Sequence, residues 1–210
     1  MYLYLAYFSA LIVLVPLTFG YSKRRHLARE FKPFFYLLLI SLVVDVSCII
    51  LGAKGVNNMF LMNAFLPIEF LFIVVFYKRF FDSFLKSIIH YLVLFLFFIL
   101  LSFEAFVMRI NGTFNYSNSV EFIILIIYSL ISFLFIMKNL VYNNLLETPF
   151  FWINSSVLIY FSGNLFLFIF SRYVQTHYRS DFKSLFAIHS ILHIIYYSLI
   201  SVGFWKAKAK

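Results

Sequence analysis

The stretch that decides the fold of this chain is PFFWINSSVLIYFSGNLFLFIFSRY, residues 149–173. This run is long enough to cross a bilayer, because a helix rises about 1.5 Å per residue and the hydrocarbon core is about 30 Å thick. Small and polar side chains recur along it at helical spacing, at Trp152, Ser156, Tyr160 and Gly163. A face in contact with lipid does not need small or polar side chains, whereas a face against a neighbouring helix or a cavity does. The stretch therefore predicts a central helix of a transmembrane bundle.

Composition places the whole chain in the membrane class. Of its 210 residues, 64% are hydrophobic and 12% are charged, which is too little polar surface to coat a soluble globule. The net charge is +9, but the lysines and arginines lie in short runs between apolar segments. This pattern favours membrane topology, and we expect no nucleic-acid partner. The single cysteine, Cys48, excludes an intrachain disulfide and CxxC motifs for metal or haem.

Seven apolar segments follow one another along the chain, each of about 18–23 residues, which is enough for one crossing. The short AKGVN link between the second and third segments predicts an antiparallel hairpin. The polar stretch at residues 108–119 reads as a turn region. We therefore expect an all-α fold, in which residues 1–210 form one bundle of seven transmembrane helices. The predicted spans are residues 3–20, 33–52, 58–76, 87–107, 120–137, 149–171 and 184–205.

Basic residues set the expected orientation. The loops after the first, third and fifth spans, together with the tail, hold twelve of the 17 lysines and arginines. Cytoplasmic loops are enriched in these residues, so we predict the N-terminus outside and the C-terminus in the cytoplasm. Trp152 and Trp205 then lie near the inner interface. We expect a multi-pass protein of a bacterial inner (plasma) membrane, with the lipid bilayer as its first partner.

Two carboxylates lie near mid-depth of the predicted spans, where ionisable side chains are costly and therefore mark candidate functional sites. Asp45 belongs to a small and polar face of the second span, formed with Ser41, Cys48 and Gly52, and this face should point inward. Glu69 lies on the third span beside a proline that should kink the helix. Both carboxylates are either protonated or hydrogen-bonded packing residues, or groups that handle protons or a ligand.

The seventh span carries His189 and His193, four residues apart and therefore on one helix face. Zinc sites on helices use this spacing, but a hydrogen bond to a neighbouring helix is the more economical arrangement. We predict that one of the two histidines bonds to a side chain of the second, third or sixth span, with no metal and no cofactor. The candidate ligand-binding residues of the polar core are Asp45, Glu69, Tyr160, Asn164, His189 and His193.

Three further charged residues, Glu104, Glu121 and Arg172, lie near predicted outer span ends. They are either part of a pocket that opens outward or, more simply, solvated charges at the rim. No Gly-rich phosphate loop and no GxSxG elbow is present in the sequence. The seventh span, residues 184–205, contains no lysine, and Lys206, Lys208 and Lys210 all follow Trp205, which excludes a retinal Schiff base deep in that span.

Three segments carry a family resemblance. They are LPIEFLFIVVFYKRFF (66–81), PFFWINSSVLIYFSGNLFLF (149–168) and HSILHIIYYSLISVGFW (189–205). They resemble uncharacterised bacterial seven-helix membrane proteins and the membrane sensor regions that precede the kinase module in some histidine kinases. The resemblance implies a membrane sensor. Together with the polar core, it favours a protein that senses or binds a small or lipidic ligand and is not an enzyme. Because the chain ends at KAKAK, signal output would require a separate protein partner.

The terminal HxxxH also resembles the seven-helix metal-dependent membrane hydrolases of the alkaline ceramidase and adiponectin-receptor type. In that family the pair joins a histidine on the second span around zinc, near a serine and an aspartate. The resemblance implies a zinc site at His189 and His193, with Asp45 and Ser41 as the nearest second-span candidates. This chain has no histidine on that span. A metal-dependent lipid hydrolase is thus one alternative to a sensor. A structural subunit of a membrane complex is another.

Overall fold

A computed structural model of the chain describes residues 2–24, 27–81, 86–108, 115–139, 144–177 and 182–207. Within these ranges the fold is all-helical and contains no strand. A short 3-10 helix, Leu145–Glu147, precedes the seventh α-helix. The α-helices are α1 (Tyr2–Leu11), α2 (Leu14–Ser22), α3 (Lys32–Ala53), α4 (Met59–Phe81), α5 (Ser87–Met108), α6 (Asn115–Asn139), α7 (Pro149–His177) and α8 (Phe182–Lys206).

Six of the described helices, α3 to α8, are long and apolar enough to cross a membrane. Each corresponds to one of the second to seventh predicted spans, and α4, α6 and α7 extend several residues beyond the predicted bounds. A run of this length and composition satisfies its own backbone hydrogen bonds within the bilayer. The chain is therefore an all-helical, multi-pass membrane protein.

The first predicted span is wrong in its continuity, because it forms two shorter helices. The break lies just before Pro16, which has no N–H to donate to the preceding turn. Val15 donates instead to the Ile12 carbonyl at 3.0 Å, which tightens the chain at this point. Pro16 itself is tolerated in the first turn of α2, where its N–H would have no helical partner.

The predicted turn at residues 108–119 is also wrong over its last five residues, which form the first turns of α6. The reason lies on α5, where Glu104 accepts hydrogen bonds from the backbone N–H groups of Tyr116 and Ser117 at 2.9 and 2.8 Å. The first N–H groups of a helix have no intrahelical partner, and a carboxylate there also complements the helix dipole. A contact from a distant helix thus supports a helix start that the local sequence does not reveal.

The predicted hairpin between the second and third spans is confirmed. Gly55 adopts a left-handed φ of 67° after α3, the conformation that a residue without Cβ reaches most easily. Val56 donates to the Leu51 carbonyl at 2.9 Å and Gly55 to that of Gly52 at 3.0 Å, which is the Schellman arrangement. The Asn57 side chain then accepts from the first N–H of α4 at 2.9 Å. The chain reverses within a few residues, and α3 packs against α4.

The chain forms two compact units. The middle unit is Ala28–Glu121, in which α4 packs against α3 and α5. The terminal unit combines Met1–Leu27 with Phe122–Lys210, and in it α8 packs against α1, α2 and α7. The α7–α8 pair has the most extensive helix contact of the described chain.

In the terminal unit, the first apolar segment and α8 run in the same direction. Near the middle of α8, His193 hydrogen bonds to the backbone of Ser9. Near the end of α8, the Lys23 ammonium, later in the first segment, donates to the carbonyls of Trp205 and Ala207. A cation at this position stabilises the carbonyl end of α8. The end of α2 and the end of α8 therefore lie together.

Candidate ligand-binding site

Two glycines let α7 and α8 approach closely. A Cβ added at Gly163 on α7 would lie 2.7 Å from both terminal methyl carbons of Leu192 on α8. A Cβ added at Gly203 on α8 would lie 2.7 Å from Cγ1 of Ile153 and 3.1 Å from the Pro149 carbonyl oxygen. Small residues at such positions allow van der Waals packing of helix backbones in lipid. Gly163 of the predicted stripe thus faces a neighbouring helix, which is α8.

A hydrogen-bonded pair crosses this helix contact. The Asn164 amide nitrogen donates to the Tyr160 carbonyl at 2.8 Å, so its oxygen is directed towards α8. There it lies 2.7 Å from Nδ1 of His189. Because an amide oxygen can only accept, Nδ1 carries the proton, and Nε2 of a neutral His189 ring is the acceptor. The predicted hydrogen bond from one of the histidines to the second, third or sixth span is confirmed, and its partner lies on the sixth.

Aromatic side chains surround the second histidine. The His193 ring centroid lies 5.8 Å from that of Tyr160 and 4.4 Å from that of Tyr197. Tyr160 also stacks on Tyr196 with centroids 4.5 Å apart, and the two histidine rings lie 5.9 Å apart. Four of the six candidate residues, Tyr160, Asn164, His189 and His193, thus form one cluster in the terminal unit.

A cleft of about 270 Å³ opens beside this cluster. His189 and Asn164 supply its polar lining, and all other lining residues are apolar. Phe186, on its wall, keeps 59% of its surface exposed, so the cleft reaches the protein surface. The apolar lining residues are Phe122, Leu167, Phe168, Leu185 and Phe186. A mostly apolar cleft with a few polar atoms is the common form of a small-molecule site.

The other two candidates, Asp45 and Glu69, lie in the middle unit and interact electrostatically with each other. Glu69 also interacts with Glu121, which is fully buried and whose two carboxyl oxygens have no hydrogen-bond partner among the described residues. One carboxyl oxygen of Asp45 is likewise buried without such a partner. Three carboxyl groups of this unit therefore form a second polar group, and the ligand-binding role of Asp45 and Glu69 stays a prediction.

The predicted inward face of the second span is confirmed at Ser41 and Cys48 and is wrong at Gly52. Ser41 is buried, and the Cys48 sulfur lies 3.7 Å from that of Met62 on α4. Gly52 is exposed, and a Cβ added there would have no atom within 4 Å. The face turns away from α4 near the end of α3, where the chain leaves the helix for the hairpin.

Sequence reasoning missed several polar contacts. Glu104 and Glu121 are buried, so the interpretation as solvated rim charges is wrong for both; the side chain of Arg172 lies outside the described residues. Ser129 and Asn154 join α6 to α7, because each side chain donates to the backbone carbonyl of the other at 3.1 Å. No local signal marks these pairs, since their members lie 25 residues apart.

A zinc site needs three or four ligands. Among the described residues, no group of three or more His, Cys, Asp or Glu side chains is placed to hold a metal ion. His189 and His193 thus supply two ligands at most within the terminal unit, and one of them already bonds to Asn164.

Comparisons with protein-family models, curated proteins and solved structures find no match. The fold and the cleft by themselves define an all-helical, multi-pass membrane protein with a mostly apolar cleft beside α7 and α8.

Proposed function

We propose that this protein is a membrane sensor that binds a small amphiphilic ligand in the cleft beside α7 and α8. The observation that carries the proposal is the hydrogen-bonded pair of His189 and Asn164, which lines an otherwise apolar cleft of about 270 Å³. A polar pair of this kind is costly within the hydrocarbon region unless it is used for packing or recognition. Its position on the wall of a cleft favours recognition.

The chemistry of the lining defines the ligand class. Phe122, Phe168 and Phe186 favour a hydrocarbon chain or ring. Because Asn164 holds the proton of His189 on Nδ1, the ring offers Nε2 as an acceptor. The matching ligand carries a hydroxyl or N–H donor at one end of an apolar body, as a long-chain alcohol does.

The helix contacts provide a route for the signal. A ligand changes a conformational equilibrium only if it binds the two states with different affinity. A ligand in the cleft touches both α7 and α8, and α8 also packs against α1 and α2. The end of α8, held by Lys23, is where a separate partner protein would detect a shift of this helix.

The proposed topology has seven spans, with the N-terminus outside and the C-terminus in the cytoplasm of a bacterial inner membrane. The parallel course of the first apolar segment and α8 supports an odd number of spans. The basic residues of the alternate loops support the orientation.

The test uses a photoreactive long-chain alcohol with the full-length protein in lipid nanodiscs. We expect labelling of peptides that contain residues 164–168 or 185–189, and competition by the unmodified alcohol. His189→Leu should weaken labelling by about tenfold, the value of one hydrogen bond in an apolar site. The matched control is Ser162→Ala, which changes an exposed hydroxyl of α7 that bonds only within its own helix.

Two results would contradict the proposal. One is unchanged labelling of the His189→Leu variant at an unchanged unfolding temperature. The other is stoichiometric zinc in protein purified without added metal, lost when both His189 and His193 are replaced by alanine. The second result would support the lipid hydrolase instead.

A further inference from the structure

A basic cavity lies at one end of α3 and α4 in the middle unit. It has a volume of about 420 Å³ and is lined by Arg29, Lys32 and Arg79, with no carboxylate among its lining residues. Lys32 is the first residue of α3 and Arg79 lies in the last turn of α4. Three cations around one cavity repel one another unless an anion lies between them. The cavity is therefore suited to an anionic group.

The polar wall of this cavity is held in place by contacts within the unit. The Arg79 guanidinium donates to the backbone carbonyl of Arg29 at 2.6 Å. The Phe31 ring packs against those of Phe76 and Phe80, with centroids 6.2 and 6.1 Å apart. The segment before α3 is thus fixed onto α4. Among the described residues, none of the three cations has a carboxylate within ion-pair distance.

The same cavity continues into an apolar groove. Its other lining residues include Tyr36, one turn into α3, and Leu71, Phe72 and Val75 on α4. Leu71 and Val75 lie about 12 and 6 Å along the helix from Arg79, at about 1.5 Å per residue. The cavity therefore joins a cationic end, at the level where the span leaves the membrane, to an apolar end within the span.

We propose that this cavity binds an anionic phospholipid, with its phosphate between Arg29, Lys32 and Arg79 and an acyl chain along Leu71, Phe72 and Val75. Arginine is suited to phosphate because its planar donors bind two oxygens at once. The apolar groove selects a lipid over free phosphate, which would leave it unused. Basic residues next to a span contribute to anionic-lipid binding in the same way. This site is separate from the cleft beside α7 and α8.

A neighbouring cavity of about 500 Å³ extends the basic region. It shares Arg29 and Arg79 and adds Lys78, whose ammonium bonds to the Tyr91 hydroxyl and lies 4.2 Å from the centre of its ring. One carboxylate, Glu30, also lines this second cavity. The anion therefore has its strongest attraction in the first cavity, where cations alone provide the charged lining.

The test measures phosphatidylglycerol retained by purified full-length protein, by native mass spectrometry and by the rise in unfolding temperature on adding the lipid. The Arg29→Gln/Lys32→Gln variant should bind about 25-fold more weakly, at about fivefold per charge removed. Lys54→Gln is the matched control, because this exposed lysine lies at the opposite end of α3. It should bind as the wild type does. Phosphatidylcholine should give no comparable rise in any of these proteins.

A second variant tests the groove while keeping every charge. Leu71→Trp places a large ring where the acyl chain would lie, and Leu71 is already 37% exposed, so folding should tolerate it. We expect weaker lipid retention at an unchanged unfolding temperature of the lipid-free protein. A loss of about fivefold in the Lys54→Gln control, the same per charge removed as in the double variant, would show attraction by net charge alone and overturn the proposal. Displacement of the lipid by millimolar inorganic phosphate would overturn it in favour of a soluble anion.

Discussion

At the residue scale, polar side chains inside this apolar chain join one helix to another. Glu104 of α5 accepts from the first turn of α6. Asn154 and Ser129 exchange hydrogen bonds between α7 and α6, and Asn164 bonds to His189 on α8. Each polar group would be costly if it faced hydrocarbon without a partner. These contacts therefore specify which helix faces meet, as well as adding stability.

Glu104→Gln should destabilise the protein by about 1–2 kcal/mol, because the amide keeps one acceptor oxygen but loses the second acceptor and the charge. Hydrogen exchange of the Tyr116 and Ser117 amides should accelerate, and the unfolding temperature should fall. The control is Glu147→Gln, which removes an exposed ion pair with Lys206 and should change the unfolding temperature little. Unchanged exchange at Tyr116 and Ser117 in the Glu104→Gln protein would refute the capping role.

At the element scale, two glycines decide how α7 packs against α8. The neighbours that an added Cβ would meet differ between them. At Gly163 these atoms are the flexible end of Leu192, whereas at Gly203 they include the Pro149 backbone oxygen. A side chain end can shift by rotamer change, but backbone at the start of α7 moves only with its helix. The two positions should therefore tolerate substitution unequally.

Gly203→Ala should lower stability by about 1–3 kcal/mol through overpacking, and Gly163→Ala should lower it less. Replacing Gly163 by leucine should disrupt folding, since no shift of the Leu192 methyl groups makes room for a second branched side chain. Gly52→Ala is the matched control, because nothing lies within 4 Å of the new Cβ, and alanine favours a helix by up to about 1 kcal/mol. Unfolding in detergent measures the stability of all four variants. An equal loss of stability in Gly52→Ala and Gly203→Ala would contradict the overpacking at Gly203.

At the scale of the whole molecule, the ends of α2 and α8 lie together in the terminal unit. The Lys23 ammonium donates to the Ala207 carbonyl at 2.7 Å, and the Lys206 ammonium pairs with Glu147 at 2.8 Å, just before α7. The end of the first segment, the entry to α7 and the end of α8 are therefore on one side of this unit. A seven-span chain places these three connections on the same side of the membrane.

Membrane-impermeant maleimide labelling in a Cys48→Ser background tests this topology. Single cysteines at Arg24 and Lys210 should be protected in intact cells and labelled after permeabilisation. A cysteine at Asn111, which lies outside the described residues, should be labelled in intact cells. Labelling of Arg24→Cys and Lys210→Cys on opposite sides would require an even number of spans and contradict the arrangement.

Helix positions were largely predictable from the sequence, because a helix in lipid forms its hydrogen bonds within its own segment. Six spans and the hairpin at Gly55 follow from run length and from one turn motif. The break before Pro16 also had a local signal, which was the proline itself. The true start of α6 had none, because Glu104 supports it from another helix.

What the sequence by itself determined is the class of protein, the helices and the residues that have a reason to face inward. Only the tertiary structure decided which faces meet, because that depends on neighbours far away in the chain. Gly163 and Gly52 look alike in their stripes, yet one packs on Leu192 and the other is exposed. His189 hydrogen bonds to Asn164, 25 residues away in the sequence, and Arg79 donates to the carbonyl of Arg29, 50 residues away. Helix formation within a span is largely local, whereas a binding site depends on which helices lie next to each other.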